Sequence, residues 1–264
     1  MLSYTRLDDV KQRRPLVHCI SNIVSANDCA NLALAIGASP IMAQAPEEMA
    51  EVTAQADATV LNTGTPDEEK FASCRLCGSL AQHPVVLDPV GVGASPWRLD
   101  RVRALLDMFT PAILRVNFGE ARALLGVGGQ EQGVDSPADA GLEERLETAA
   151  ALARLRRCTV LLSGPEDVAT DGERAYVQRG GSDLTRTVTG AGCMLSTLCG
   201  VFSAVESVPL QAAALASAFW KLCACRAEAI ADGRGTASFR IALLDTAGNL
   251  TSEAFSRLAM VESC

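Results

Sequence analysis

The residues best suited to chemistry lie in a few short strings. In Val188-Thr189-Gly190-Ala191-Gly192-Cys193-Met194-Leu195-Ser196 a Gly-x-Gly turn runs straight into an apolar, helix-forming stretch. Glycine allows the tight turn and a close backbone approach to a ligand. The first N–H groups of the following helix have no intrahelical acceptor, and with the helix dipole they attract anionic oxygens. Gly190, Ala191 and Gly192 therefore form a candidate anion hole. Cys193 falls in the first helical turn, a position that lowers a thiol's pKa and favours the thiolate. The competing explanation is a strand-to-helix connection whose glycines merely ease packing.

A second string, Leu87-Asp88-Pro89-Val90-Gly91-Val92-Gly93-Ala94, ends an apolar run in a carboxylate and opens a glycine-rich loop. Asp88 there can hold a magnesium ion or its water shell, or Asp-Pro can serve as turn chemistry. In Arg115-Val116-Asn117-Phe118-Gly119-Glu120 the spacing of Asn117 and Glu120 fits a capping box. The functional alternative puts Glu120 near Mg²⁺ and Arg115 against a phosphate, which suits a guanidinium. Near the N-terminus, Asn22 and Met42 sit at the ends of apolar runs, where they can line a small heterocycle pocket, cap turns or fill core. His18 reads as a hydrogen-bonded strand histidine.

The elements that must position these residues follow from periodicity. Short apolar runs bounded by Gly, Pro, Asn or Asp predict strands at 16–20, 40–42, 58–62, 85–88, 113–116 and 159–163. Apolar residues at three- and four-residue spacing predict helices at 26–36, 47–55, 67–81, 99–108, 118–125 and 144–156. Two antiparallel strands are expected at 168–170 and 174–178, then helical stretches at 192–204, 210–231 and 239–261. The segment 126–141 reads as a loop. Strands alternating with helices imply an α/β fold with a mostly parallel sheet flanked by helices. Ligands in such sheets bind at the carboxyl ends of the strands, where these strings fall.

Bulk properties narrow the function classes. A chain of 264 residues with 48% hydrophobic and 20% charged residues can bury a full core, and one domain over 1–264 is expected. The net charge of −8 argues against nucleic acid or an anionic membrane as partner. No apolar run is long enough to span a bilayer, and the mixed opening does not read as a leader. A cytoplasmic setting is the expectation. Of the ten cysteines, most lie in apolar surroundings where free Cys acts as a small hydrophobe. Cys74 and Cys77 form a lone C-x-x-C without the second pair or histidine that structural zinc normally requires.

Taken in order, the strings PLVHCISN at 15–22, Asn31, GASPIMA at 37–43, NTGT at 62–65, LDPVGVGAS at 87–95, PAILRVNFGEA at 111–121, GVDS at 133–136, TDG at 170–172 and VTGAGCMLS at 188–196 resemble the hydroxyethylthiazole kinases. The resemblance implies a ribokinase-like layered sandwich that phosphorylates the hydroxyl of 4-methyl-5-(2-hydroxyethyl)thiazole with ATP and Mg²⁺, in thiazole salvage for thiamine. It implies a homotrimer with active sites at subunit boundaries. Met42, Asn22 and Gly190 would contact the thiazole; Arg115, Ser163 and Asn117 would serve ATP. Asp88 and Glu120 would act on Mg²⁺, and Cys193 would hold the catalytic-base position. Several positions depart from the family pattern. Val116 stands where a small residue is common and would crowd the nucleotide, Phe118 interrupts the usual Asn-Ala-Ser-Glu string, Ser163 replaces Thr, and Ile23 replaces a polar residue. A kinase for another vitamin-precursor alcohol, a related repair hydratase and a catalytically weak binding protein are the alternatives.

Overall fold

A computed structural model describes residues 2–127 and 140–264. Six parallel strands, β1 (Leu16–Ile20), β2 (Ser39–Ile41), β3 (Ala58–Asn62), β4 (Val85–Asp88), β5 (Ile113–Asn117) and β6 (Thr159–Ser163), carry the candidate residues at or just beyond their carboxyl ends. Three antiparallel strands, β7 (Asp167–Thr170), β8 (Ala175–Gln178) and β9 (Val261–Ser263), extend the sheet beyond β6. The order across the sheet is β2-β1-β3-β4-β5-β6-β7-β8-β9.

Strand residues point alternately to the two faces, and the core divides accordingly. Val60, Ile113 and Leu161 pack into one layer, while their neighbours Leu61, Leu114 and Leu162 pack into the other. The first layer is covered by α1 (Arg6–Arg13), α2 (Ala26–Ile36), α8 (Ala191–Ser203), α9 (Pro209–Ala231), α10 (Thr236–Asn249) and α11 (Ser252–Leu258). The second is covered by α3 (Met49–Gln55), α4 (Glu68–Leu80), α5 (Pro96–Met108), α6 (Phe118–Leu125) and α7 (Leu142–Arg156). Local chemistry fixes several helix starts. Asp67 and Ser95 accept hydrogen bonds from the backbone N–H of Lys70 and Arg98, and Pro96 opens α5.

The single helix expected at 239–261 is instead α10, α11 and β9. Leu250 adopts an extended conformation, the Thr251 side chain caps α11 by accepting from the Ala254 N–H, and the last residues pair with β8. Apolar periodicity runs through this break because both helices bury the same face. Helix α1 and the 3-10 turn Asp183–Thr187 lie outside the elements expected from periodicity. The GVDS string at 133–136 and most of the loop expected at 126–141 lie outside the described residues.

Helix α8 approaches the sheet closely because Gly200 faces it. A Cβ at Gly200 would meet Val60 Cγ2 at 2.5 Å. Overpacking of this kind forces backbone shifts. Gly200→Val is expected to lower unfolding stability by ~1–3 kcal/mol, read as a reduced urea midpoint at unchanged slope.

Candidate active site

At the carboxyl ends of the strands, neighbouring positions converge. Asn62 on β3 pairs with Asp88 on β4, and Asn117 on β5 pairs with Ser163 on β6. Asp88 has no exposed surface. Its Oδ2 accepts from Asn62 Nδ2 at 3.0 Å and from Ser196 Oγ at 2.7 Å. Its Oδ1 receives no hydrogen bond among the described residues, although Arg115 Nη1 stands 3.6 Å away. Burial pushes the Asp88 carboxyl above its ordinary pKa, against the opposing pull of Arg115 and the two donors. Burial disfavours the Arg115 cation, but Asp88 and Glu120 outweigh it and leave its pKa raised. Arg115 Nη2 donates to Ser163 Oγ at 2.6 Å. The guanidinium lies against the first turn of α8: a Cβ on Gly192 would meet Nη1 at 2.6 Å.

Asn117 and Glu120 form a complete capping box on α6. The box also holds the Glu120 carboxylate in place. Its Oε2 accepts from the Asn117 N–H at 2.8 Å and its Oε1 from the Gly91 N–H at 2.9 Å. Glu120 is 2% exposed, and burial raises its pKa from 4.5 to about 7, Arg115 opposing and Asp88 reinforcing the shift.

The turn before α8 adopts the expected form, with Gly190 at φ +80 as the residue preceding the helix. A Cβ there would meet Ser25 Cβ at 2.3 Å, so both conformation and space demand glycine. Of the three N–H groups expected to form the anion hole, those of Gly190 and Gly192 meet no acceptor among the described residues, whereas that of Ala191 does. The Ala191 N–H is directed to the Val188 carbonyl at 3.3 Å, while the N–H groups of Gly192 and Cys193 meet no acceptor among the described residues. The thiol corrects a further expectation. Helix N-terminal placement favours a thiolate, yet the Cys193 pKa is raised, first by burial and then by Asp88; contacts with Ser25, Arg115 and Asn62 only partly offset this.

These groups border a cleft of about 1030 Å³. Asn22, Arg115, Asn117, Glu120, Ser163, Gly190, Ala191, Gly192 and Cys193 all line it. Met42 does not; it is half-buried against the layer containing α2 and α8. Asp88 lies beneath the cleft floor. Val116 is fully buried in the α3–α7 layer, so it does not crowd the cleft, whereas Phe118 lines it. His18 is buried and bonded to the Ala43 carbonyl at 3.0 Å, as a strand histidine.

The model of the hydroxyethylthiazole kinase family matches residues 7–253. The chain belongs to this family. A hydroxyethylthiazole kinase from Desulfatibacillum aliphaticivorans is 40% identical over 250 residues, covering 94% of this chain and 92% of that one. The structure of hydroxyethylthiazole kinase protein from Pyrococcus horikoshii superposes with a TM-score of 0.89 at 35% identity, covering 99% and 98% of the two chains. A ribokinase-like superfamily protein from Enterococcus faecalis, at 12% identity and covering 96% and 95%, shares the fold with a TM-score of 0.64. The family relation makes the chain a phosphotransferase, and the layered sandwich is ribokinase-like as expected.

Several side chains at or beside this cleft were not singled out by sequence reasoning. Ser25 packs on Gly190. Ser196 reaches Asp88 from one turn beyond Cys193, a spacing that puts both on one side of α8. Lys221 Nζ ties the β6–β7 turn to α9 by donating to the carbonyls of Gly164 at 2.8 Å and Pro165 at 2.7 Å, with Asp167 at 3.2 Å. The signal for Lys221 is a lone cation in the otherwise apolar or uncharged run 209–225.

Glu120 gives a pH-dependent stability term. Its folded pKa of about 7 lies above the ordinary 4.5, so the stability it contributes is present below 4.5 and lost as pH rises through 7. Relative to the parent, Glu120→Gln is expected to gain thermal stability between pH 5 and pH 8, measured as the difference in Tm across that range. A difference that stays constant with pH would contradict the assignment.

Proposed function

We propose that this protein transfers the γ-phosphoryl group of ATP to the side-chain hydroxyl of 4-methyl-5-(2-hydroxyethyl)thiazole, a salvage step toward thiamine. One observation carries the mechanism: the Gly192 and Cys193 N–H groups, which meet no acceptor among the described residues, line the same cleft as the Arg115 guanidinium that lies against Gly192. Phosphoryl transfer needs positioning and charge stabilisation more than covalent help, and fixed donors of this kind supply both. Arg115, itself steadied by Ser163, holds phosphate oxygens. Asn117 fixes the start of α6 at the nucleotide side of the cleft.

The family relation implies Mg²⁺, and the residues present fit it. Asp88 Oδ1 is a buried carboxylate oxygen with no hydrogen-bond donor among the described residues, while Glu120 keeps a second lone pair on each oxygen. Asp88 and Glu120 would hold the ion or its waters, and the ion would neutralise charge on the phosphates. Asn22 and Gly190 line the end of the cleft assigned to thiazole, with Cys193 positioned to take the alcohol proton. The raised thiol pKa makes the thiolate a minor form at neutral pH.

Met42 is half-buried and lies away from the cleft of its own chain. In a homotrimer with sites at subunit boundaries it would serve a neighbour's pocket. Ile23 and Val24, 79% and 59% exposed beside Asn22, are apolar surface that such an assembly would cover. Cytoplasmic placement accords with ten free cysteines.

With MgATP and hydroxyethylthiazole, the purified protein is expected to release ADP and form phosphothiazole, identified by mass. Hydroxymethylpyrimidine and pyridoxal run alongside; turnover of either in preference to thiazole would retain the kinase and overturn the substrate. Cys193→Ala is expected to lower turnover ~10²-fold. Because the thiol's pKa is raised, the parent's turnover should climb into alkaline pH as thiolate accumulates, and Cys193→Ser should lose that climb. Unchanged turnover in either variant would remove Cys193 from proton transfer.

A further inference from the structure

The side chain of Asn62 is bonded to a carboxylate that the phosphoryl-transfer mechanism uses, and it does not itself line the cleft. It is 3% exposed at the carboxyl end of β3. The orientation of its amide is forced by its neighbours. The Gly64 backbone N–H can only donate, and it lies 2.9 Å from Oδ1. The Asp88 carboxylate can only accept, and its Oδ2 lies 3.0 Å from Nδ2. Exchanging O and N would break both bonds, so the assignment is internally fixed.

Asn62 is also one of the groups that partly offset the raised pKa of the Cys193 thiol. The Oδ1 bond organises the turn after β3. Gly64 in that turn sits against Asn22: a Cβ on Gly64 would meet Asn22 Nδ2 at 2.3 Å and Asn62 Oδ1 at 3.0 Å. A single buried amide thus touches the carboxylate below the cleft and the turn behind the Asn22 side chain. Alternative donors are scarce. Besides Asn62, Asp88 Oδ2 has only Ser196 among the described residues, and its one hydroxyl proton is also within 3.1 Å of the Gly192 carbonyl.

We propose that Asn62 is a positioning residue for phosphoryl transfer, orienting the Asp88 carboxylate through Oδ2. This inference rests on the kinase function proposed above. It assigns Asn62 an effect on the reacting groups without contact with either substrate. Loss of Asn62 therefore lowers kcat and leaves both KM values nearly unchanged.

Asn62→Asp separates positioning from folding. The side chain is isosteric and still accepts the Gly64 N–H, so the turn is retained, but in place of the amide N–H it sets a second carboxyl against Asp88, which repels it or shares a proton with it. Asn62→Leu removes the donor and the acceptor together. Both variants are compared with the parent in kcat, in KM for ATP and thiazole, and in the rate of iodoacetamide alkylation at Cys193 resolved by peptide mass spectrometry. The expected result for Asn62→Asp is a loss of at least 10-fold in kcat, less than threefold change in either KM, and alkylation of Cys193 slowed at least threefold. Asn62→Leu should show the same slowing if it folds. Alkylation and kcat at parental levels in Asn62→Asp would overturn the proposal, as would effects seen in Asn62→Leu alone, which would place the role in the turn. The alkylation measurement needs no substrate. If it responds as expected while the parent makes no phosphothiazole, the substrate assignment fails and the influence of Asn62 on the Asp88 and Cys193 groups stands.

Discussion

A carboxylate with no exposed surface governs the architecture of this site. Isolated burial of charge is prohibitive, so such a group must be paired and hydrogen-bonded or lose its charge. Asp88 meets that demand with three partners from three other elements: Asn62 on β3, Arg115 on β5 and Ser196 on α8. The parallel register places the first two beside it, and the close packing of α8 over Gly200 brings the third within reach. Removal of any partner would leave a buried charge less compensated. Strand order, helix depth and site electrostatics are therefore linked through one side chain.

The first turn of α8 is where two physical effects compete. Helix N-termini stabilise anions, and on this turn the N–H groups of Gly192 and Cys193, two residues that line the cleft, meet no acceptor among the described residues. For the thiol on the same turn the sign reverses. Cys193 is 7% exposed, and the loss of hydration together with the negative charge of Asp88 exceeds the benefit of the dipole and nearby donors. The backbone of α8 is thus suited to receive negative charge from a ligand, while its side chain rests as a neutral thiol. Arg115 completes the arrangement by laying its guanidinium along Gly192, where any side chain would displace it.

Glycine and asparagine accomplish much of the fine placement. Gly190 lets the chain turn with positive φ against Ser25. The Asn117–Glu120 box shows that capping and function are not rivals: the bonds that start α6 are those that hold the Glu120 carboxylate facing Gly91. On the other flank, Lys221 joins α9 to the turn that follows Ser163, so the wall of the cleft beyond β6 is secured by a buried cation bound to carbonyls.

The sequence by itself determined the alternation of strands and helices, the position of the glycine turn and the capping box, because these follow from short-range patterns of apolar residues and backbone constraints. The family resemblance also named nine residues that border the cleft, among them Arg115, Glu120 and Cys193. Other features depend on contacts between residues far apart in the chain. The break of the 239–261 segment into two helices and an edge strand depends on pairing with β8. The direction of Val116 depends on the pleat of β5, which turns it into the opposite core layer from the cleft. The raised pKa of Cys193, the bridge from Asn62 to Asp88 and the anchoring by Lys221 arise only when elements separated by dozens of residues exclude water together. Desolvation is a property of the assembled environment, and tertiary structure alone decided which of these polar groups would face it and with which partners.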